Sequence, residues 1–347
     1  MSGQEWWDKE VFAGRKANLD LRVKAIAALR RFFEELGYVE VETPALQISP
    51  GMEPHLKVFA TRLDDPFGGP SQPLYLHTSP EFAMKKLVVA GMDRIFQIAK
   101  VYRNAERSPT HHPEFTMVEW YRTGAGIAQL MDETESLITA MAQAVGVTAM
   151  TRGQAASDLF TTWERLSVAD AFQRYAGVDI LATAPDPLSP DRDLLAAQSR
   201  RIGVSVSPTD RWDDIFFKIM MDRIEGRLGH GRPTFLHSYP ISMAALARPN
   251  AHDPRVADRF ELYACGVELA NAFDELTDAV EQRRRFEADM DLREEIYGDR
   301  LPIDEGFLAA LAHGMPQTAG IALGLDRVIM LLAGAQKLED VLWAPVL

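Results

Sequence analysis

The sequence predicts an α+β fold in which an antiparallel sheet is flanked by helices. Three observations carry that reading. Residues 95–122 hold two runs of β-branched, aliphatic and aromatic residues, on either side of a stretch broken by Ser108, Pro109 and Pro113. Residues 259–275 (RFELYACGVELANAFDE) form a second hairpin candidate. No G-x-G-x-x-G or G-x-x-x-x-G-K-[ST] string stands at a strand–helix junction, so a doubly wound nucleotide fold is not expected.

Composition sets the outer bounds. The chain has 347 residues with 47% hydrophobic content, enough for a large core in one or two domains. A net charge of −13 disfavours non-specific nucleic-acid binding, although a local basic patch remains compatible with it. A single cysteine, Cys265, excludes an internal disulfide and a multi-cysteine zinc site. The first residues are acidic and carry Trp6 and Trp7 where a secretory signal needs an apolar run. No stretch approaches the roughly 18 apolar residues of a membrane span. The expectation is a soluble cytoplasmic protein with no membrane partner.

Taken in order, residues 1–18 read as an N-terminal extension. Residues 19–36 read as an amphipathic helix, with Leu21, Ala25, Leu29, Phe32 and Leu36 at helical spacing and Gly37 as its stop. Its outer side carries Arg15, Lys16, Arg22, Lys24, Arg30 and Arg31 against Asp20, which fits a solvated face or a docking surface for an acidic partner. Residues 38–44 alternate as a strand that Pro44 stops. A strand over 74–78 leads into Ser79-Pro80-Glu81, with Pro80 in the first turn of a helix to about Ala90. Glu81 there is a helix-dipole partner or a ligand group. Residues 126–147 read as a helix and 180–192 as a surface loop. Residues 191–229 read as two helices, and about 150–230 as a helical, insertion-like segment. A strand over 234–240, a charged helix over 278–296 and a glycine-punctuated strand leading into a helix over 316–333 complete the chain.

The two hairpins carry the candidate chemistry. The loop of the first holds Arg103, Glu106, Arg107, His111, His112 and Glu114 on a rigid frame. Arg103 either pairs with Glu106 or Glu114, or binds phosphate through its planar fork. In the second, a two-residue turn at Cys265-Gly266 pairs Tyr263 with Glu268 and puts Glu261 on the same face as Glu268. Two such carboxylates repel unless a cation lies between them, and oxygen ligands beside a phosphate favour Mg²⁺. Asn271, Phe273 and Glu275 fall on the other parity. A bulge or bend near Ala270-Asn271 is needed to bring them into the same site; otherwise Glu275 faces solvent.

The string from Arg103 through PEFTMVEWY resembles motif 2 of the class II aminoacyl-tRNA synthetases in its lysyl form. Residues 19–44 resemble motif 1, which implies a homodimer through that segment. Gly320-Ile321-Ala322-Leu323-Gly324-Leu325-Asp326-Arg327 resembles motif 3. The resemblance implies catalytic roles for Arg103 and Arg327. It implies ATP contacts from Arg103, Glu106, His111, Glu268 and Arg327, and Mg²⁺ ligation by Glu261 and Glu268. It further implies that Glu81, Glu119, Tyr121, Asn271, Phe273, Glu275 and Ala322 shape the amino-acid pocket, with Glu275 pairing with a terminal ammonium. The chain departs from the pattern twice. Ala105 stands where the family has Glu, so Glu106 is its candidate replacement, and His112 stands for the usual Asn.

No five-stranded anticodon-binding barrel fits before residue 20, and Ala322 stands where lysyl-tRNA synthetases have Gly. Both features resemble the stand-alone elongation factor P lysine ligases. That resemblance implies ATP-dependent activation of (R)-β-lysine or lysine and its transfer to a lysine of elongation factor P, with tRNA not a partner. The alternatives are a minimal lysyl-tRNA synthetase and a non-catalytic amino-acid-binding paralogue.

Overall fold

The computed structural model describes residues 5–186 and 189–346. Its first helix runs over Lys9–Glu35, with Asp8 accepting from the Glu10 N–H as N-cap. The helix therefore starts ten residues before the expected position, and most of the 1–18 extension belongs to it. Residues 1–4 lie outside the described residues. No apolar stripe marks the turns before Leu19, so periodicity could not find them; the cap and good helix formers carry the helix there. Gly37 stops it at φ +73.

The basic outer face needs one correction. Arg22 points inward and is buried, its Nη1 lying 2.5 Å from Asp326 Oδ1. Lys16 pairs with Asp20, and Arg30 forks onto Glu40.

The main sheet has eight strands. In chain order they are β1 (Val39–Glu40), β2 (Arg94–Tyr102), β3 (Glu114–Thr123), β4 (Glu164–Ser167), β5 (Thr234–His237), β6 (Arg259–Ala264), β7 (Val267–Asp274) and β8 (Thr318–Gly324). Across the sheet the order is β1-β2-β3-β8-β7-β6-β5-β4. All central pairings are antiparallel, with a parallel strand at each edge, β1 on β2 and β4 on β5. The fold class is the α+β arrangement the pattern predicts. The 38–44 strand is only two residues long. Leu46–Gln47, Gln72–Leu76 and Phe59–Leu63 form a separate small sheet. Pro80 is the N-cap of the Glu81–Val89 helix rather than a first-turn residue.

Strand parity divides the sheet into two functional faces. Val118 and Trp120 of β3, Ile321 and Leu323 of β8, Ala272 of β7 and Phe260 of β6 point to one side. They pack there with Leu29 and Phe33 of the first helix and with the Ile127–Val145 and Leu325–Leu332 helices. Phe33 stacks on Phe96 at 4.4 Å and meets Trp120 edge-on at 5.3 Å. The alternate residues of the same strands face the opposite side and line the site described below.

The 150–230 segment is less helical than expected. It opens with a small hairpin, Ala149–Arg152 against Ala155–Asp158, and then supplies edge strand β4. Helices follow at Val168–Ala176, Arg192–Arg201 and Trp212–Ile219, sharing their own apolar cluster around Phe172, Trp212 and Phe216. The 180–192 stretch is not all surface loop: Ile180, Thr183 and Ala184 are buried, while Pro187 and Leu188 lie outside the described residues. No helix among the described residues is long and apolar enough to cross a membrane.

Asp326 accepts from Arg22 through Oδ1 and from the Thr116 backbone N–H at 2.7 Å through Oδ2. Arg22 also donates to the Thr116 hydroxyl and the Val341 carbonyl. Removing one partner strands a buried charge, which costs about 3–5 kcal/mol. Arg22→Met is therefore expected to lower the unfolding free energy by that order, and Arg22→Met with Asp326→Asn to recover part of it, both read by chemical unfolding.

Candidate active site

The face opposite the core opens into a cavity of about 260 Å³. Every side chain that the sequence reading singled out for ATP, metal or amino-acid binding lines it. Register explains the convergence. Glu119, Ala322 and Asn271 are cross-strand neighbours on β3, β8 and β7, and Asn271 in turn faces Glu261 on β6. Tyr121, Gly320, Phe273 and Arg259 form the adjacent row.

The second hairpin turns through Cys265 and Gly266, both at positive φ (53 and 69), the two-residue geometry that matches strand twist. Tyr263 pairs with Glu268 as expected. Leu262 then pairs with Ala270, leaving Leu269 as the extra residue of a bulge. The bulge lies one residue before the predicted position and has the required effect: Glu261, Glu268, Asn271 and Phe273 share one face. Glu275 follows β7, is buried, and donates its backbone N–H to the Thr318 carbonyl; it does not face solvent.

One end of the cavity is cationic. Arg327 is held by backbone, donating to the carbonyls of Thr110 at 3.1 Å and Glu268 at 2.8 Å. Its Nη2 donates to His111 Nε2 at 2.9 Å, and His111 Nδ1 lies 2.7 Å from the Ser108 hydroxyl. Burial and the Arg327 charge hold His111 below its ordinary pKa, so it accepts from Arg327 as a neutral ring. Arg103 stacks over the Phe115 ring at 5.3 Å, and its buried Nε has no hydrogen-bond partner. Among the described residues neither arginine pairs with a carboxylate, so Arg103 does not bridge to Glu106 or Glu114. Ala105 is exposed in a left-handed conformation (φ 61), and Glu106 beside it lines the cavity. His112 also borders the cavity, but both ring nitrogens are engaged by backbone, Nδ1 on the Glu114 carbonyl and Nε2 accepting from the Val346 N–H.

The middle of the cavity holds the carboxylate pair. Glu261 is fully engaged: Arg259 donates to Oε1 at 2.5 Å, and the hydroxyls of Tyr239 and Tyr263 donate to Oε2 at 2.5 and 2.6 Å. Glu268 accepts no side-chain hydrogen bond among the described residues. Burial and the neighbouring Glu261 push its carboxyl up to about 7, against Arg327, Arg103 and Arg259. The donor set fits a Mg²⁺ ion held by one or two carboxylates plus phosphate oxygens, with Glu268 the open ligand.

The other end is acidic. Glu119 accepts from Ser79 Oγ at 2.5 Å and Tyr121 OH at 3.1 Å. Burial first, then Glu81, pushes its carboxyl up to about 8. Burial also raises the Glu275 carboxyl, opposed by the ammonium of Lys85. A side-chain carbon on Gly320 would strike the Tyr121 ring and a Glu275 oxygen, so only glycine leaves this pocket open.

Sequence reasoning missed Lys85, Arg259, Tyr239 and Ser79. Lys85 carried a usable signal, a cation four residues after Glu81 on an otherwise apolar helix face. Arg259 stacks on Tyr239 at 4.2 Å and donates to Asn271 Oδ1 at 3.1 Å, partners that only the tertiary fold brings together.

A mainly antiparallel sheet is faced by two arginines that pair with no carboxylate among the described residues, and the family match gives the class of protein. Residues 6–346 match the family model of class II tRNA synthetases (D, K and N), and the chain belongs to that family. Within it, the chain groups with proteins named elongation factor P--(R)-beta-lysine ligase. That of Sodalis glossinidius is 40% identical over 94% of both chains, and that of Pectobacterium carotovorum is also 40% identical over 94% of both. The Haemophilus ducreyi protein is 39% identical over 92% of this chain and 91% of its own.

Glu119 gives a signed pH expectation. Its folded pKa of about 8 lies above the ordinary 4.5, so its contribution to stability is fully present below about 4.5 and lost as pH rises through 8. Thermal melting of the ligand-free protein should show Glu119→Gln gaining on wild type between about pH 5 and 8, by an amount on the order of a few kcal/mol.

Proposed function

We propose that this chain uses ATP to activate (R)-β-lysine, or lysine, as an adenylate and then transfers it to a lysine of elongation factor P. The observation that carries the reading is one cavity with two carboxylate-free arginines at one end and an acidic pocket at the other. A triphosphate fits the first, and a small molecule with two ammonium groups fits the second. A buried ammonium requires a paired carboxylate, and Glu119, Glu275 and Glu81 supply them. The names of the relatives favour this substrate over a tRNA or a purely regulatory amino acid.

In this reading the substrate carboxylate attacks the α-phosphorus and pyrophosphate leaves. Arg103 and Arg327 offset the charge that develops, with His111 holding Arg327 in place. Glu268, with Glu261 beside it, would hold Mg²⁺, which supplies charge neutralisation on the phosphates. Glu106 takes the adenine-side position left by Ala105. Asn271, Phe273, Tyr121 and Ala322 shape the amino-acid pocket. The acceptor amine then attacks the acyl carbon, an amide forms and AMP departs with its oxygen. A groove of about 750 Å³ lined by Glu53, Arg259, Asn271 and Phe273 opens onto the same site and offers that amine a route. An acceptor from the translation machinery implies a cytoplasmic enzyme.

The wider organisation follows the same reading. Residues 19–347 act as the catalytic unit, with 150–230 an addition at the sheet edge. Val23 and Val39, about half exposed within 19–44, support a homodimer through that segment, and Leu46 and Ile48 just beyond it are similarly exposed.

Intact-mass analysis of elongation factor P after incubation with ATP and each lysine isomer tests the activity. A mass gain of one lysyl unit is expected; label on tRNA alone would reject the reading. Arg103→Ala is expected to lower kcat/KM in pyrophosphate exchange about 100-fold or more. Ala322→Gly is expected to improve use of α-lysine relative to β-lysine in the same assay; an unchanged ratio removes Ala322 as the selector.

A further inference from the structure

An ammonium lies buried behind the carboxylates of the acidic pocket. Lys85, on the Glu81–Val89 helix, is only 1% exposed, and its Nζ lies 2.5 Å from both Glu81 Oε1 and Glu275 Oε2. Glu81 reaches it from one turn earlier on the same helix, and Glu275 reaches it from the end of β7. The Phe307 ring closes the other side at 5.9 Å. Two carboxylates from separate elements therefore meet on one buried cation at the back of the cavity. Lys86, the next residue, turns outward to Asp304 at 2.6 Å and plays no part in this cluster.

We propose that Lys85 is a positioning and specificity-determining residue: an internal ammonium that fixes Glu81 and Glu275 and sets the pocket's charge to match a substrate with two ammonium groups. The inference rests on the diamino-acid reading above. Glu81, Glu119 and Glu275 ionised with Lys85 charged leave two uncompensated negative charges, and a substrate with two ammonium groups cancels them. The same lysine hydrogen-bonds Glu81 Oε1 and pairs in charge with Glu275 Oε2, which leaves the second oxygen of each carboxylate for the ligand. Without it, Glu275 would lose the cation that opposes its raised pKa, and the pocket would hold a further proton besides the one Glu119 already favours. A ligand would then have to displace that proton.

The groups facing Lys85 agree with this account. Burial lowers the ammonium's pKa, but Glu275 and Glu81 together raise it well above the ordinary lysine range, so it stays charged. Glu275 is further raised by Glu81 and Asp274, and Lys85 is the cation that opposes them. The Tyr121 hydroxyl faces the same carboxylates and is held protonated by burial and by Glu119.

The test is steady-state pyrophosphate exchange with L-lysine and (R)-β-lysine from pH 6 to 9, on wild type and on Lys85→Met, Lys85→Gln and Lys85→Arg. The neutral variants are expected to raise the amino-acid KM about tenfold or more while the ATP KM stays within about twofold. The pH midpoint of the amino-acid KM should move up by about one unit in both, because the carboxylates lose their cation. Lys85→Arg, which keeps the charge, should return the midpoint to the wild-type value. Lys85→Gln removes the charge but keeps two N–H donors for the carboxylates, so it decides the matter should Lys85→Met fail to fold. An amino-acid KM and midpoint unchanged in the neutral variants, with only the melting temperature lowered, overturns the role of Lys85 alone. A wild-type protein that activates neither isomer overturns the functional reading and this role with it.

Discussion

Strand parity governs this molecule. A residue in β3, β8, β7 or β6 can face the helical core or the cavity, and its neighbour must face the other side. The six-strand antiparallel centre therefore makes its core and its site from the same segments. Trp120 fills the core while Glu119 and Tyr121 line the cavity; Ile321 fills the core while Gly320 and Ala322 line the cavity. The one place where strict alternation would fail is β7, where Glu268 and Asn271 have opposite parity. The Leu269 bulge resets it, so that both reach the face used by Glu261. An unbulged strand would put Asn271 and Phe273 among the core residues.

Electrostatics is arranged along that face as a gradient. Arg327 held by backbone carbonyls, Arg103 stacked on the Phe115 ring and a neutral histidine form the cationic end. Carboxylates form the other, and a pair of them lies between. Buried like charges are costly, and the structure answers the cost differently at each point. Glu261 is neutralised by Arg259 and two tyrosine hydroxyls. Glu81 and Glu275 share Lys85. Glu268 and Glu119 have no cation in contact, and both have raised pKa values. The groups left uncompensated are those that a cation or an ammonium would reach, which makes ligand binding and charge compensation the same event.

The first helix joins this gradient to the rest of the molecule. Arg22 crosses from that helix to Asp326, the residue before Arg327, and Asp326 also accepts from the backbone of β3. One buried ion pair thus ties a helix, a strand and the start of the Leu325–Leu332 helix into a single frame for the phosphate-side arginine. The face of the same helix that carries Val23 is left open to solvent.

The sequence by itself determined the fold class, the two hairpins, the Cys265-Gly266 turn and most of the cavity's charged side chains. These depend on local alternation, turn chemistry and a long motif, all of which can be read along the chain. It also required a bulge or bend in β7 to gather Asn271 and Glu275 with Glu261, and the fold uses a bulge. Only the tertiary structure decided which charges are compensated. Arg22 reads as one basic residue among six until Asp326 arrives from 304 positions away. Lys85 reads as an ordinary helical cation until Glu275 closes over it. The start of the first helix was hidden for a related reason: a cap and helix propensity extend it where no apolar stripe exists. Pairings between distant charges leave no periodic trace in a sequence, because a buried charge is placed by its partner rather than by its neighbours.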